Sequence, residues 1–133
     1  MALRKITIYR LNRPKSGDVN QCVQWLSGSL GLFSCRDKSK SCFRIFVELL
    51  KAAKQRKALS SDEIAYRLHL SRGAVVHHLN NLIESGIVAV HKNRYLLREA
   101  SMDLLVKNMK KEISEILEEM NSVAEEIDRA FGD

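Results

Sequence analysis

Two helix starts and one helix stop are written into the stretch from Leu59 to Gly86, and they leave few options for its fold. Ser60-Ser61-Asp62-Glu63 has the spacing of a capping box, in which Ser60 caps the helix and Glu63 reaches back to it. Leu59 and Ile64 flank that box as a hydrophobic staple. The spacing predicts a short helix through Leu68, then a tight turn at His69-Leu70. Ser71 caps the next helix, which runs to about Ser85, and Gly86 suits the left-handed position that ends it. Past Gly86 the period changes to two. Ile87-Val88-Ala89-Val90-His91, the polar turn Lys92-Asn93-Arg94 and Tyr95-Leu96-Leu97-Arg98 read as a hairpin. Upstream, Cys42, Ile45, Phe46, Leu49, Leu50 and Ala53 recur at helical spacing from Ser41, and the run closes on Lys54-Gln55-Arg56-Lys57, cations that favour a helix C-terminus.

Helix, helix, tight turn, helix and hairpin, in that order, is the arrangement of a winged helix-turn-helix. The expected fold class is therefore mainly α with a small β-wing: a winged helix-turn-helix followed by a long C-terminal coiled-coil helix. Three regions are expected: an N-terminal strand and helix extension over residues 1–40, the winged module over 41–98, and a dimerisation helix over 99–133. In the extension, residues 4–11 are β-branched and aromatic and read as a short strand. Asn12 to Gly17 holds the single proline and reads as a turn. Asp18 is then an N-cap for a helix with Val19, Cys22, Val23, Leu26 and Leu30 on one face, weakened toward its end by Gly28 and Gly31. Ser34 to Ser41 reads as a polar loop.

Around the helix that begins after Ser71, at 100° per residue, Val75, Leu79 and Leu82 form one buried stripe. The opposite side then presents Arg72, Gly73, Val76, His77 and Asn80 to solvent. These side chains are short or polar, as a helix lying in a major groove requires. Gly73 weakens the helix but permits a close backbone approach, and the amides after Ser71 could meet a phosphate.

The run from Ser71 through His77-His78-Leu79-Asn80-Asn81-Leu82 to Gly86-Ile87-Val88 resembles the recognition helix and start of the wing in ArsR-like winged-helix transcriptional regulators. Ser61 to Leu68 looks like that family's positioning helix, and the likeness covers Ser41 to Arg98. It implies Arg72, Gly73, Val76, His77 and Asn80 as contacts to base or phosphate, beside the phosphate position already expected at Ser71. The cysteine cluster of the metal-sensing members has no counterpart, because Ile64 to Leu70 contains no cysteine. The resemblance thus implies the DNA-binding module and not its signal.

Charge agrees with a polyanionic partner. The chain carries a net +6, and residues 1–98 hold 18 basic against 6 acidic residues while 99–133 hold 4 against 10. A basic body with an acidic tail suits contact with nucleic acid by the body alone. His91, Lys92, Arg94 and Arg98 lie on or beside the wing, and Lys38, Lys40, Arg44, Arg56 and Lys57 can add to the same field.

From Met102 the apolar residues step by 4 and 3 alternately: Met102, Val106, Met109, Ile113, Ile116, Met120, Val123, Ile127 and Ala130. This is a heptad seam with Val106, Ile113, Met120 and Ile127 at a, and Ser101 is its N-cap. A helix of this length cannot keep such a stripe in water alone, so a homodimer through these residues is expected. Leu117, Ala124 and Phe131 at e widen the face, and Glu112, Glu119 and Glu126 at g leave parallel or antiparallel pairing open. The seam could also contact the N-terminal helix. A dimer would set two recognition helices about 34 Å apart, the spacing of successive major grooves on one face of a duplex.

Catalytic chemistry is missing from the pattern. There is no phosphate loop, nucleophile elbow or Cys-x-x-Cys. Cys22, Cys35 and Cys42 are too sparse for a disulfide framework, and His77 and His78 point about 100° apart. No enzyme activity, cofactor or metal is expected, and neither is a membrane span. The absence of an apolar leader argues for a cytoplasmic, nucleoid-associated protein. The expected function is a sequence-specific regulator that binds double-stranded DNA as a homodimer, with the transcription machinery as a further candidate partner. A nonspecific architectural DNA- or chromatin-binding protein, a winged-helix protein–protein module and a winged-helix RNA binder are the competing readings.

Overall fold

The structure, a computed structural model, describes residues 6–15, 18–31 and 40–132. Among them the elements are α1 (Val19–Ser29), α2 (Ser41–Lys54), α3 (Ser61–Leu68), α4 (Arg72–Glu84), β1 (Val88–His91), β2 (Arg94–Leu97) and α5 (Met102–Ala130). The protein is mainly α, with one small antiparallel sheet and a long last helix. It divides into two compact units, Met1–Arg98 and Glu99–Asp133.

The core of the first unit is built where apolar spacing required it. Ile45, Phe46 and Leu49 of α2, Ile64 of α3, and Val75, Leu79 and Leu82 of α4 are buried, joined by Leu59, Ile87, Val88 and Leu97. On α2 the buried edge falls on Ala52, while Leu50 and Ala53, expected in the stripe, are only half-buried. Burying such aliphatic side chains stabilises the unit by roughly 1.5–3 kcal/mol each.

Helix ends follow local chemistry. Ser60 Oγ accepts from the Glu63 amide at 3.1 Å and the Ser60 amide donates to Glu63 Oε1 at 3.4 Å, so both arms of the capping box are made. Ser71 Oγ accepts from the Ala74 amide at 3.1 Å. The C-terminus of α4 is a Schellman motif: the Ile87 amide donates to the Leu82 carbonyl and the Gly86 amide to the Ile83 carbonyl, at 3.0 and 2.9 Å. Gly86 takes φ +79° there. The end of α2 has the same pattern, but Arg56 occupies the left-handed position, at φ +56°.

Two expectations for the N-terminal extension are corrected. Residues 6–11 form no strand, and 4–5 lie outside the described residues. The sheet among the described residues is the β1–β2 pair, and residues 6–11 join neither of its edges. The segment is instead tied to α1: the Tyr9 amide donates to the Ser29 carbonyl at 2.8 Å and Trp25 Nε1 to the Leu11 carbonyl at 3.2 Å. Nor does α1 bury the whole of the expected face: only Leu30 of that stripe is buried, and Val23 and Leu26 are half-buried. Val19 and Cys22 are exposed, whereas Ser27, Gly28 and Leu30 are buried. Small residues there allow close approach, and Ser27 satisfies its hydroxyl on the Val23 carbonyl at 2.7 Å. Gly31, at φ +76°, lies so near Thr7 that an added Cβ would meet its methyl at 3.0 Å. The expected loop at Ser34 to Ser41 falls mostly on residues 32–39, outside those described, and Ser41 already begins α2.

The hairpin pairs Val88 with Leu97 through His91 with Arg94. Its turn is two residues, Lys92 and Asn93, both at positive φ (+51° and +62°), as a type I′ turn requires. Arg94, expected in the turn, opens β2 instead. Leu59 and Tyr95 exchange two main-chain hydrogen bonds, of 2.9 and 2.7 Å, which fasten the hairpin to the segment entering α3.

Candidate nucleic-acid interface

The stripe that buries α4 decides what its other side shows. With Val75 and Leu79 fully buried, Arg72, Gly73, His77 and Asn80 are exposed and Val76 is half-buried at the margin. Ser71, just before the helix, is exposed as well. A Cβ added at Gly73 would meet nothing within 4 Å, so this turn lies open to an approaching ligand. Arg72 Nε stands 3.4 Å from Asp62 Oδ1, and both side chains are largely in solvent.

α3 is braced from behind. Arg44 of α2 donates to the Leu68 carbonyl at the end of α3, at 2.6 Å, which spends a guanidinium that charge counting assigned to the outer field. Arg67 pairs with Glu48 of α2 at 3.3 Å. His69 takes φ +56°, the backbone reversal that turns the chain from α3 into α4.

On the wing the expected cations separate. His91 and Lys92 are exposed beside and at the tip of the hairpin. Arg94 is exposed but paired: its Nη1 lies 2.7 Å from Glu63 Oε1 and 3.2 Å from the Ala58 carbonyl. The capping carboxylate therefore also anchors the wing. The Ser60 amide, with help from the Arg94 guanidinium, holds the Glu63 carboxyl below the usual carboxylate range. Lys38 lies outside the described residues.

Tyr66 on α3, which is not among the expected contacts, is 84% exposed. The signal was present: Tyr66 falls about 200° from the buried Ile64, on the outer side of its helix.

Residues 39–91 match the family model of a helix-turn-helix domain. The match spans α2, α3, α4 and β1, so the exposed side of α4 belongs to the second helix of a helix-turn-helix. A helix-turn-helix domain supports a DNA-binding role for this part of the chain. Searches of the curated proteins and of the solved structures found no match.

In the second unit, α5 is a 29-residue helix capped by Ser101, whose Oγ accepts from the Leu104 amide at 3.1 Å. Of its seam, Met102, Met109 and Ile113 are half-buried, while Val106, Ile116, Met120, Val123 and Ile127 are exposed. Leu105, at g, is buried, which the heptad assignment did not anticipate. Among the described residues no group of His, Cys, Asp and Glu is placed to hold a metal ion, and no helix is long and apolar enough to cross a membrane.

Proposed function

We propose that the chain is a homodimeric, sequence-specific winged helix-turn-helix regulator of the ArsR-like kind, acting on double-stranded DNA in the cytoplasm. The observation that carries this reading is the two-sidedness of α4: an aliphatic stripe fully withdrawn from water, and opposite it a bare, polar strip of Arg72, Gly73, His77 and Asn80. A helix of this composition fits a major groove, where Arg and His can read base edges and Gly73 lets the backbone come close. Ser71 and the first amides of α4 suit a phosphate at the groove edge. His91 and Lys92 at the wing suit the flanking backbone.

The exposed seam of α5 supports self-association, since Ile116, Met120, Val123 and Ile127 repeat at 4-3-4 spacing in solvent. A second copy gives that face a partner of the same period. Two bound copies would then read a roughly palindromic site.

Selection of bound sequences from a random duplex pool tests the reading. A regulator enriches one inverted-repeat motif and prefers it over random duplex by about 10³ or more. Uniform affinity for every duplex would favour an architectural role, and no duplex binding at low salt would favour a protein–protein module.

A further inference from the structure

Tyr66 projects into solvent more fully than any other large apolar side chain described in the first unit. An aromatic ring held in water on a short helix contributes nothing to the core, and a phenol offers both a flat apolar face and a hydroxyl donor. Its place is defined by its neighbours. Tyr66 follows Asp62 by one turn of α3, so the two share a face, and Asp62 reaches across to Arg72 in the first turn of α4. The ring therefore stands beside the N-terminus of the helix proposed for the groove, set back from it by one helix. A side chain there meets the rim of the groove, where deoxyribose and phosphate lie, and not the base edges. Asp62 would repel a phosphate, but the Arg72 guanidinium 3.4 Å away compensates its charge.

We infer that Tyr66 is a DNA-positioning residue that donates its hydroxyl to a phosphate at the groove rim and packs its ring on the adjoining sugar, extending the interface from α4 onto α3. The inference rests on the DNA-binding reading above. It makes an unusual demand on salt dependence. A neutral phenol displaces no counterion, so its contact adds affinity without adding to the slope of log K against log salt. Lysine contacts do both.

The test measures affinity of the full-length chain for its selected duplex and for random duplex across a salt series, for the unaltered protein, Tyr66→Phe, Tyr66→Ala and Lys92→Ala. Thermal unfolding serves as the check on folding. Tyr66→Phe should bind roughly tenfold more weakly on both duplexes, the size of one hydrogen bond to a charged group. Its salt slope and unfolding temperature should stay unchanged. Tyr66→Ala should lose more, on the order of 30-fold. Lys92→Ala should instead flatten the slope by about 0.9. Tyr66→Phe binding as tightly as the unaltered chain overturns the phosphate contact while leaving the DNA reading standing. No duplex binding by the unaltered chain overturns both.

Discussion

At the scale of single residues, exposed side chains on α4 and on the wing should fail in different ways. His77→Ala should cost about 1–3 kcal/mol on a selected site and little on random duplex, read by competition binding, whereas Arg72→Ala, which also uncovers Asp62, should weaken both. Lys92→Gly should weaken both alike, yet leave the hairpin intact, because glycine accepts the +51° φ that Lys92 now holds at a cost. The same argument gives a stability prediction. His69 sits at φ +56° in the turn between α3 and α4. His69→Gly should therefore raise stability by a few tenths to about 1 kcal/mol in denaturant unfolding, net of glycine's entropic cost. Strain of this kind was not legible in the sequence: nothing in the letters His69 or Arg56 marks a left-handed backbone, whereas Gly86 announced one. Likewise Arg94 read as one more wing cation, because pairing with Glu63 depends on a meeting of β2 with α3 that spacing does not encode.

Elements were most legible where one residue type carried a local rule. Ser60 with Glu63, Ser71, Gly86 and Ser101 set helix ends that the structure reproduces. Residues 6–11 form no strand because propensity does not say what the main chain will meet, here Ser29 and the Trp25 indole of α1. The capping box on α3 has a pH signature. Since the Ser60 amide lowers the Glu63 carboxyl, its contribution is fully present above the ordinary glutamate value of about 4.3 and fades as pH falls through the depressed folded-state value. Glu63→Gln should keep most of the cap but remove this part of the acid-limb slope. Glu63→Ala should keep the bond from the residue-63 amide to Ser60 Oγ but lose the back-bond to the Ser60 amide and the hold on Arg94, costing about 1 kcal/mol. Urea unfolding between pH 3 and 7 distinguishes them. In α5, Glu112 to Arg129 carries seven carboxylates and one guanidinium. Two copies paired in parallel there repel, whereas an antiparallel pair sets Lys107, Lys110 and Lys111 near Glu125, Glu126 and Asp128 of the other copy and attracts. Sedimentation should show the proposed dimer tightening as salt rises if it is parallel and loosening if it is antiparallel, while DNA affinity falls over the same range.

For the whole molecule, self-association and fold should be separable. Met120 is 61% exposed, so Met120→Glu should leave unfolding of the first unit unchanged. It should abolish the dimer in light scattering and reduce affinity for an inverted repeat to that for a single half-site. The pinned wing bears on what the partner must do. Leu59 and Tyr95 lock the hairpin by two main-chain bonds, and Arg94 adds a third strut to the Ala58 carbonyl. Three hydrogen bonds thus hold the hairpin to the segment before α3, and in the proposed complex adaptation would fall to the double helix. Steps that kink or narrow cheaply beside the recognised bases should then be favoured, although no side chain touches them.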